Sequence, residues 1–360
     1  MKTAIIHDWL TGQRGGEMGL EILCQLYPDA TIFTLLHKKG SVSPVIENMK
    51  IKTSFVQQLP FAEEKYRNYL ALFPMAVESF DLKGYDVIIS HSHCVAKGAI
   101  PQNGATHICY CYTPMRYAWL FYDEYFGNRN ILAQGLIKPI LADLRRWDKK
   151  TSKRVNYFVA CSQHVRKRIQ DFYDRDADVV YCPVDTSRFN IGNKDEDFYL
   201  IISAFVPYKK IDLAIEAFNK LDKPLYVIGG GPDEKRLRKM AGPKIKFLGW
   251  KTPDELVEYF SKCRALVFPG EEDFGIVPVE AQASGRPVIA YKKGGALETV
   301  VEGETGVFFE KQAADSLADA VTRFEKMSFD KNKIRQNALK FDKSVFKEKM
   351  RDYVKEKTKK

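Results

Sequence analysis

Short apolar runs alternate along this chain with longer segments whose apolar residues recur at three- and four-residue intervals. Thr3-Ala-Ile-Ile-His7 ends in Asp8, passes Gly12, Gly15 and Gly16, and enters the helical pattern Met18, Leu20, Ile22, Leu23, Leu26. The alternation recurs at Asp86 to Ser90 before a histidine-containing turn, and at Asn156 to Ala160 before a helix capped by Ser162. It returns at Val179 to Tyr181 before Pro183. A second series runs through Phe198 to Ile202, Leu225 to Ile228, Lys246 to Leu248, Ala265 to Phe268 and Pro287 to Ala290. Strands alternating with helices predict α/β architecture, two doubly wound parallel sheets with helices on both faces. The polar stretch Ser187 to Asp197 separates the series. It divides a Rossmann-like domain over 1–188 from a second over 198–340, with 341–360 a helix or tail returning toward the first. Polar clusters that follow the strands are expected to line one central cleft.

Composition changes this picture little. Lys and Arg outnumber Asp and Glu by 56 to 46, a formal charge of +10, and 45% of the 360 residues are hydrophobic. Disorder is excluded. Seven scattered cysteines without a Cys-x-x-Cys pair read as reduced thiols, which favours a cytoplasmic location. The opening MKTAIIHDWL lacks a signal-peptide core, and the longest uncharged stretch, Gly98 to Met115, is too polar to span a membrane. Arg166-Lys-Arg168 and Lys235-Arg-Leu-Arg-Lys239 come with no nucleic-acid module, so they read as solvated helix faces and no nucleic-acid partner is expected. Asp174 to Asp178 looks like a metal-binding Asp-x-Asp but falls in a helix-to-strand connection, and no metal site is expected. Gly229-Gly-Gly-Pro232 lacks the spacing of a nicotinamide-binding loop.

The most informative segment is Phe268-Pro-Gly-Glu-Glu-Asp-Phe-Gly-Ile-Val-Pro-Val-Glu280. It reads as strand, glycine loop and helix, with seven residues between Glu272 and Glu280. The free N–H groups of the helix start, near Gly275, Ile276 and Val277, favour a diphosphate, and carboxylates accept hydrogen bonds from hydroxyls. The plainer alternative is a solvated acidic turn at Glu271, Glu272 and Asp273.

These residues resemble the retaining glycosyltransferases of family 4, which have the two-domain GT-B fold and carry this Glu-seven-residues-Glu motif with the Phe274-Gly275 pair inside it. The resemblance extends to Ile5 to Trp9 with Arg14-Gly-Gly-Glu17, Tyr66 to Lys97, Thr113-Pro-Met-Arg-Tyr-Ala-Trp119 and Gly294 to Glu298. The closest likeness is to WbaZ-type mannosyltransferases of bacterial surface-polysaccharide assembly. It implies a metal-independent hexosyltransferase without cofactor, moving mannose from a nucleotide sugar to a lipid-linked glycan or oligosaccharide. GDP-mannose is the favoured donor and a UDP-sugar the alternative. Glu272 would contact the transferred sugar and Glu280 the ribose. Lys209 and Lys210 would face the donor diphosphate, although Ala204 stands where the family has an Arg. Phe274 to Val277, Gly15 and Gly16 would approach the donor, and Gly230 would leave room for base or ribose. His93 matches the family's histidine at the transferred sugar, and Arg14, Lys97, Arg116 and Tyr117 are acceptor-side candidates. The implied mechanism is front-face, with the leaving phosphate as base. Ala204, and Tyr112 in a place where relatives tend to have His, keep a non-catalytic scaffold open.

Tyr117 to Phe126 is densely aromatic, and Ile131, Leu132, Leu136, Ile137, Ile140, Leu141 and Leu144 mark one helix face bordered by Arg129, Lys138, Arg145, Arg146, Lys149 and Lys150. Such a face suits the anionic inner surface of the cell membrane, with the basic run Lys355 to Lys360 adding attraction. It equally suits a helix packed on the first sheet.

Overall fold

A computed structural model describes residues 1–13, 15–102, 104–120, 131–192 and 195–359, the side chains of 131–134 and 136 excepted. The chain forms two compact units, Met1–Cys182 with Phe346–Lys360, and Pro183–Val345.

The first unit is built on a parallel sheet of order β3-β2-β1-β4-β5-β6-β7. Its strands are β1 (Thr3–His7), β2 (Thr31–Thr34), β3 (Lys50–Thr53), β4 (Val87–Ser92), β5 (Thr106–Cys111), β6 (Tyr157–Ala160) and β7 (Asp178–Val179). β1 and β4 are buried along their whole length, which explains why Ala4-Ile5-Ile6 and Val87-Ile88-Ile89 within them read as apolar runs rather than alternating ones. The strand order reverses between β1 and β4, and their register sets His7 opposite His91 at the carboxyl ends. Ligands of doubly wound sheets gather at such a switch point.

The second unit has the order β10-β9-β8-β11-β12-β13, all parallel. Its strands are β8 (Tyr199–Ala204), β9 (Leu225–Gly230), β10 (Ile245–Gly249), β11 (Ala265–Phe268), β12 (Val288–Tyr291) and β13 (Gly306–Phe309). Its switch point lies between β8 and β11. Phe218, Phe309 and Val321 are buried in one core cluster over this sheet. A fully buried side chain of this kind contributes roughly 1.5–3 kcal/mol.

The units divide at Cys182, short of the polar stretch expected to link them. That stretch belongs to the second unit: Val184 forms a bridge with Asp342, Phe189 meets Phe260 edge-on at 5.6 Å, and Asp195 holds the buried Arg286 at 2.5 Å. Polarity there reflects ion pairing against a folded surface, not a free linker. The helix Lys343–Lys357 packs from Phe346 onward on the first unit, where Phe346 lies edge-on to Tyr110 at 5.3 Å and the Tyr353 hydroxyl donates to Asp178 at 2.8 Å.

Several local expectations meet their physical partners. Ser162 caps the helix Gln163–Tyr173 by accepting from the Val165 N–H at 3.0 Å. Asp174 ends that helix in the left-handed region, and Asp176 pairs with Arg166 at 2.9 Å. Arg236 pairs with Asp212 and Asp233, and Arg238 with Glu234, so two of the four cations of the second basic cluster are paired in place. In the helix Ile131–Thr151, Leu141 and Leu144 are buried and Ile137 packs against the core of the first unit. Ile140 on the same face is 42% exposed, so among the described residues the face is spent on the fold only in part. Residues 121–126, central to the membrane-facing expectation, lie outside the described residues, as does the side chain of Leu136. Among the described residues no helix is long and apolar enough to cross a membrane.

Candidate functional site

At the switch point of the first unit, Asp8 follows β1 directly and is fully buried. Its Oδ2 accepts the N–H groups of His93 and Cys94 at 2.7 and 2.9 Å, and its Oδ1 those of Val95 and Ala96 at 2.6 and 2.8 Å. Charge-assisted bonds of this kind are about twice as strong as neutral ones. They fix the turn after β4 that carries His93, whose ring lies edge-on to Trp9 at 4.5 Å. Burial lowers the His93 pKa more than Asp8 raises it, so the imidazole is neutral near pH 7.

A cavity of about 270 Å³ opens above this turn. Trp9, Gly16, Glu17, Arg67, His93, Tyr112, Thr113, Arg116 and Tyr117 line it. Of the residues expected here, His93, Gly16, Arg116 and Tyr117 thus converge. A Cβ at Gly16 would meet nothing within 4 Å, so the space beside it is open. Gly15 begins the helix Gly15–Leu26, and Arg14 lies outside the described residues. Trp9, Glu17, Arg67 and Thr113 fall inside the motif blocks of the sequence without a role of their own, and Tyr112 entered only as a departure from the family's histidine. Arg67 sits on the 3-10 helix Tyr66–Leu72, where no local pattern marks it as a cavity residue.

Lys97 is not part of this cavity. Its ammonium is buried against Asp148 Oδ1 at 2.7 Å and donates to the Asp148 carbonyl at 2.8 Å. Asp148 Oδ2 accepts from the Trp119 indole and the Tyr173 hydroxyl, both at 2.7 Å. The expected acceptor-side lysine is a buried structural cation that anchors the helix Ile131–Thr151, and no acceptor can reach it.

In the second unit three loops meet beyond the carboxyl ends of β8, β11 and β12. Lys209, on the turn Pro207–Lys209, makes an ion pair with Glu272. Gly270 packs so closely that a Cβ would lie 3.1 Å from the Lys209 Cα. Gly295 donates its N–H to the Glu272 carbonyl at 2.8 Å, and a Cβ there would collide with the Phe274 backbone at 2.3 Å. The glycine pair 294–295 is what lets this acidic loop seat against the strand end, so the loop is not a freely solvated turn. Glu271 pairs with Lys293 at 3.1 Å.

Gly275 has φ +94° and opens the helix Ile276–Ala283, whose first N–H groups are those of the predicted anion site. Phe274 is buried and lies edge-on to Phe341 at 5.5 Å, so its ring is an anchor for the loop. Glu280 is half-buried on that helix, and desolvation raises its pKa to about 7 against the opposing pull of Arg188. Lys210 occupies the left-handed region at φ +54° and starts the helix Ile211–Leu221. For a side chain other than glycine or asparagine that geometry costs on the order of 1 kcal/mol. Ala204, exposed at the end of β8, leaves no cation where one was expected. Gly230 also differs from expectation: a Cβ there would meet the Trp250 indole nitrogen at 2.8 Å. The room at this glycine is taken by the protein's own tryptophan.

Residues 148–341 match the family described as Glycosyl transferases group 1, and residues 30–188 match Glycosyltransferase Family 4. The chain is 31% identical over 183 residues to an uncharacterized glycosyltransferase of Methanocaldococcus jannaschii, covering 49% of this chain and 52% of that one. It is 30% identical over 194 residues to a GDP-mannose-dependent alpha-(1-6)-phosphatidylinositol monomannoside mannosyltransferase of Mycobacterium tuberculosis, covering 44% and 50%. It therefore spans about half the length of the curated relatives it matches. Its structure is similar to that of sucrose-phosphate synthase from Thermosynechococcus elongatus, with TM-score 0.75, 18% identity and 99% of each chain covered. Anabaena HepE in complex with UDP-glucose gives TM-score 0.70 and 17% identity, over 99% of this chain and 100% of that one. These likenesses show two Rossmann-like domains of the GT-B fold.

Proposed function

We propose that this chain, which belongs to the glycosyl transferases group 1 family, is a retaining hexosyltransferase that moves mannose from GDP-mannose to an anionic, lipid-linked acceptor. The observation that carries the donor half is the Lys209–Glu272 pair beside the Gly275 helix start: a cation, a carboxylate and free backbone N–H groups at the ends of three strands. Lys209 and Lys210 balance the charge that develops on the leaving diphosphate, and the N–H groups from Gly275 to Val277 hold its oxygens. Glu272 accepts hydrogen bonds from the hydroxyls of the transferred sugar, and Glu280 from those of the ribose. Exchange of the Lys209–Glu272 contact for contacts to the donor frees both groups for these roles.

For the acceptor half, the cavity of the first unit combines the guanidinium groups of Arg67 and Arg116 with aromatic rings and the neutral imidazole of His93. Arginines suit a phosphate or carboxylate on the acceptor, and the aromatic rings suit a sugar face. The mycobacterial relative supports mannose as the sugar by its name. HepE, solved with UDP-glucose, supports a nucleotide sugar as the donor and keeps a UDP-sugar as the second reading.

Thermal-shift titration with GDP and UDP, followed by transfer from radiolabelled GDP-mannose to a membrane-lipid extract, tests both halves. Stabilisation by GDP in preference to UDP, together with label entering the lipid fraction, is the expected result. Preference for UDP would replace the donor. Binding of neither nucleotide would return the chain to the scaffold reading that Ala204 raised.

A further inference from the structure

Beneath the cavity of the first unit lies a buried chain of polar groups that none of the roles above uses. The Tyr112 hydroxyl stands 3.3 Å from the Gly16 carbonyl oxygen and 2.9 Å from His91 Nε2. His91 Nδ1 is 3.2 Å from His7 Nδ1, which is also 3.2 Å from the His91 carbonyl oxygen. His7 Nε2 faces Glu17 Oε1 at 3.5 Å.

With the Tyr112 hydroxyl donating to the Gly16 carbonyl, the direction of the next contact follows. A carbonyl only accepts, so the single Tyr112 hydrogen goes to Gly16, and His91 must donate from Nε2 to the Tyr112 oxygen. Burial pushes the His91 pKa well down, so this imidazole is neutral and its Nδ1 is bare. His7 therefore carries the hydrogen on its own Nδ1, shared between His91 Nδ1 and the His91 carbonyl. At the other end burial is outweighed by the pull of His7 and His93, which lowers the Glu17 pKa, so the carboxylate is ionised and faces His7 Nε2 across 3.5 Å. Gly16 and Glu17 are consecutive, so the two ends of the chain return to one turn as a ring of contacts, in which the 3.5 Å approach of His7 to Glu17 is not a hydrogen bond. Gly19 records how tightly the ring is packed: a Cβ there would lie 2.4 Å from the Tyr112 oxygen and 2.8 Å from His91 Nε2.

We propose that Tyr112 is a positioning residue which, through the fixed tautomer of His91, clamps the Gly16–Glu17 turn and thereby shapes the acceptor pocket. The assignment of an acceptor to that pocket rests on the functional reading above; the ring itself does not.

The test begins with a readout independent of activity. In protein labelled with 15N-histidine, long-range 1H–15N spectra report each imidazole tautomer. The expected result is His91 protonated at Nε2 only, with Tyr112→Phe, which keeps the ring packed on Tyr110, removing that preference. His91 protonated at Nδ1 in the unaltered protein would overturn the proposal. The second readout is kinetic: Tyr112→Phe should raise the acceptor KM about tenfold while leaving the donor KM within twofold. Gly19→Ala should produce the same split, and the double variant should be less impaired than the two separate losses multiplied, because both act on one ring. An equal rise in both KM values, or multiplicative losses, would mean that the ring acts on the fold alone. Absence of transfer by the unaltered protein would defeat the functional reading and leave the tautomer result to decide the ring.

Discussion

Asp8 holds His93 twice, accepting its backbone N–H at 2.7 Å and standing 3.1 Å from its Nδ1 with the same oxygen, Oδ2. One residue at the end of β1 thus fixes both the turn and the ring of a residue at the end of β4. The switch point of the sheet brings the two together, since β1 and β4 are neighbours although 84 residues separate His7 from His91.

Asp8→Asn should therefore destabilise the first unit. An amide keeps one acceptor oxygen and turns an NH2 group toward two backbone donors, leaving buried N–H groups unpaired. The expected cost is roughly 2–4 kcal/mol. Chemical denaturation with tryptophan fluorescence measures it, and a change below about 0.5 kcal/mol would contradict this account.

Lys97→Met separates a structural from an acceptor-binding role. Removing the ammonium strands the buried Asp148 carboxylate, with an expected loss on the order of 3–5 kcal/mol. The fraction that remains folded should keep its acceptor KM. A stable variant with a raised KM would restore Lys97 to the acceptor side.

Lys209→Ala should weaken GDP binding about tenfold or more and leave guanosine binding within twofold, because the lysine faces phosphate and not base. Calorimetric titration of both ligands checks this. Transfer should also persist in EDTA, since the lysines and backbone N–H groups are assigned the diphosphate charge.

Glu280 supplies a pH dependence. Its folded-state pKa, about 7, lies above the reference value of 4.5, so the folded chain holds this proton more tightly than the unfolded chain. The resulting stability is present below pH 4.5 and is lost as pH rises through 7, an effect on the order of 2 kcal/mol. Ribose hydroxyls need the ionised carboxylate, so guanosine affinity should run the opposite way, falling several-fold from pH 8 to pH 6. Glu280→Gln should flatten both profiles. A wild-type affinity unchanged across that range would remove Glu280 from the ribose.

The apolar periodicity of the chain determined two parallel α/β units, because a strand buried on both faces must be apolar throughout and a helix covering a sheet must be apolar on one side. The Phe268 to Glu280 segment was legible too, since a glycine needed at positive φ and an acidic loop at a strand end both leave local marks. Tertiary structure decided matters that depend on which strand ends become neighbours. Lys97 and His93 stand four residues apart on one turn, yet one is drawn under the sheet by Asp148 and the other is left facing a cavity. Gly19 reads as an ordinary helix glycine until Tyr112, just after β5, and His91, on β4, fill the space its missing side chain leaves. Arg67 joins the cavity by packing alone. Burial and hydrogen-bond partners are properties of the assembled neighbourhood, and no local pattern in the sequence encodes them.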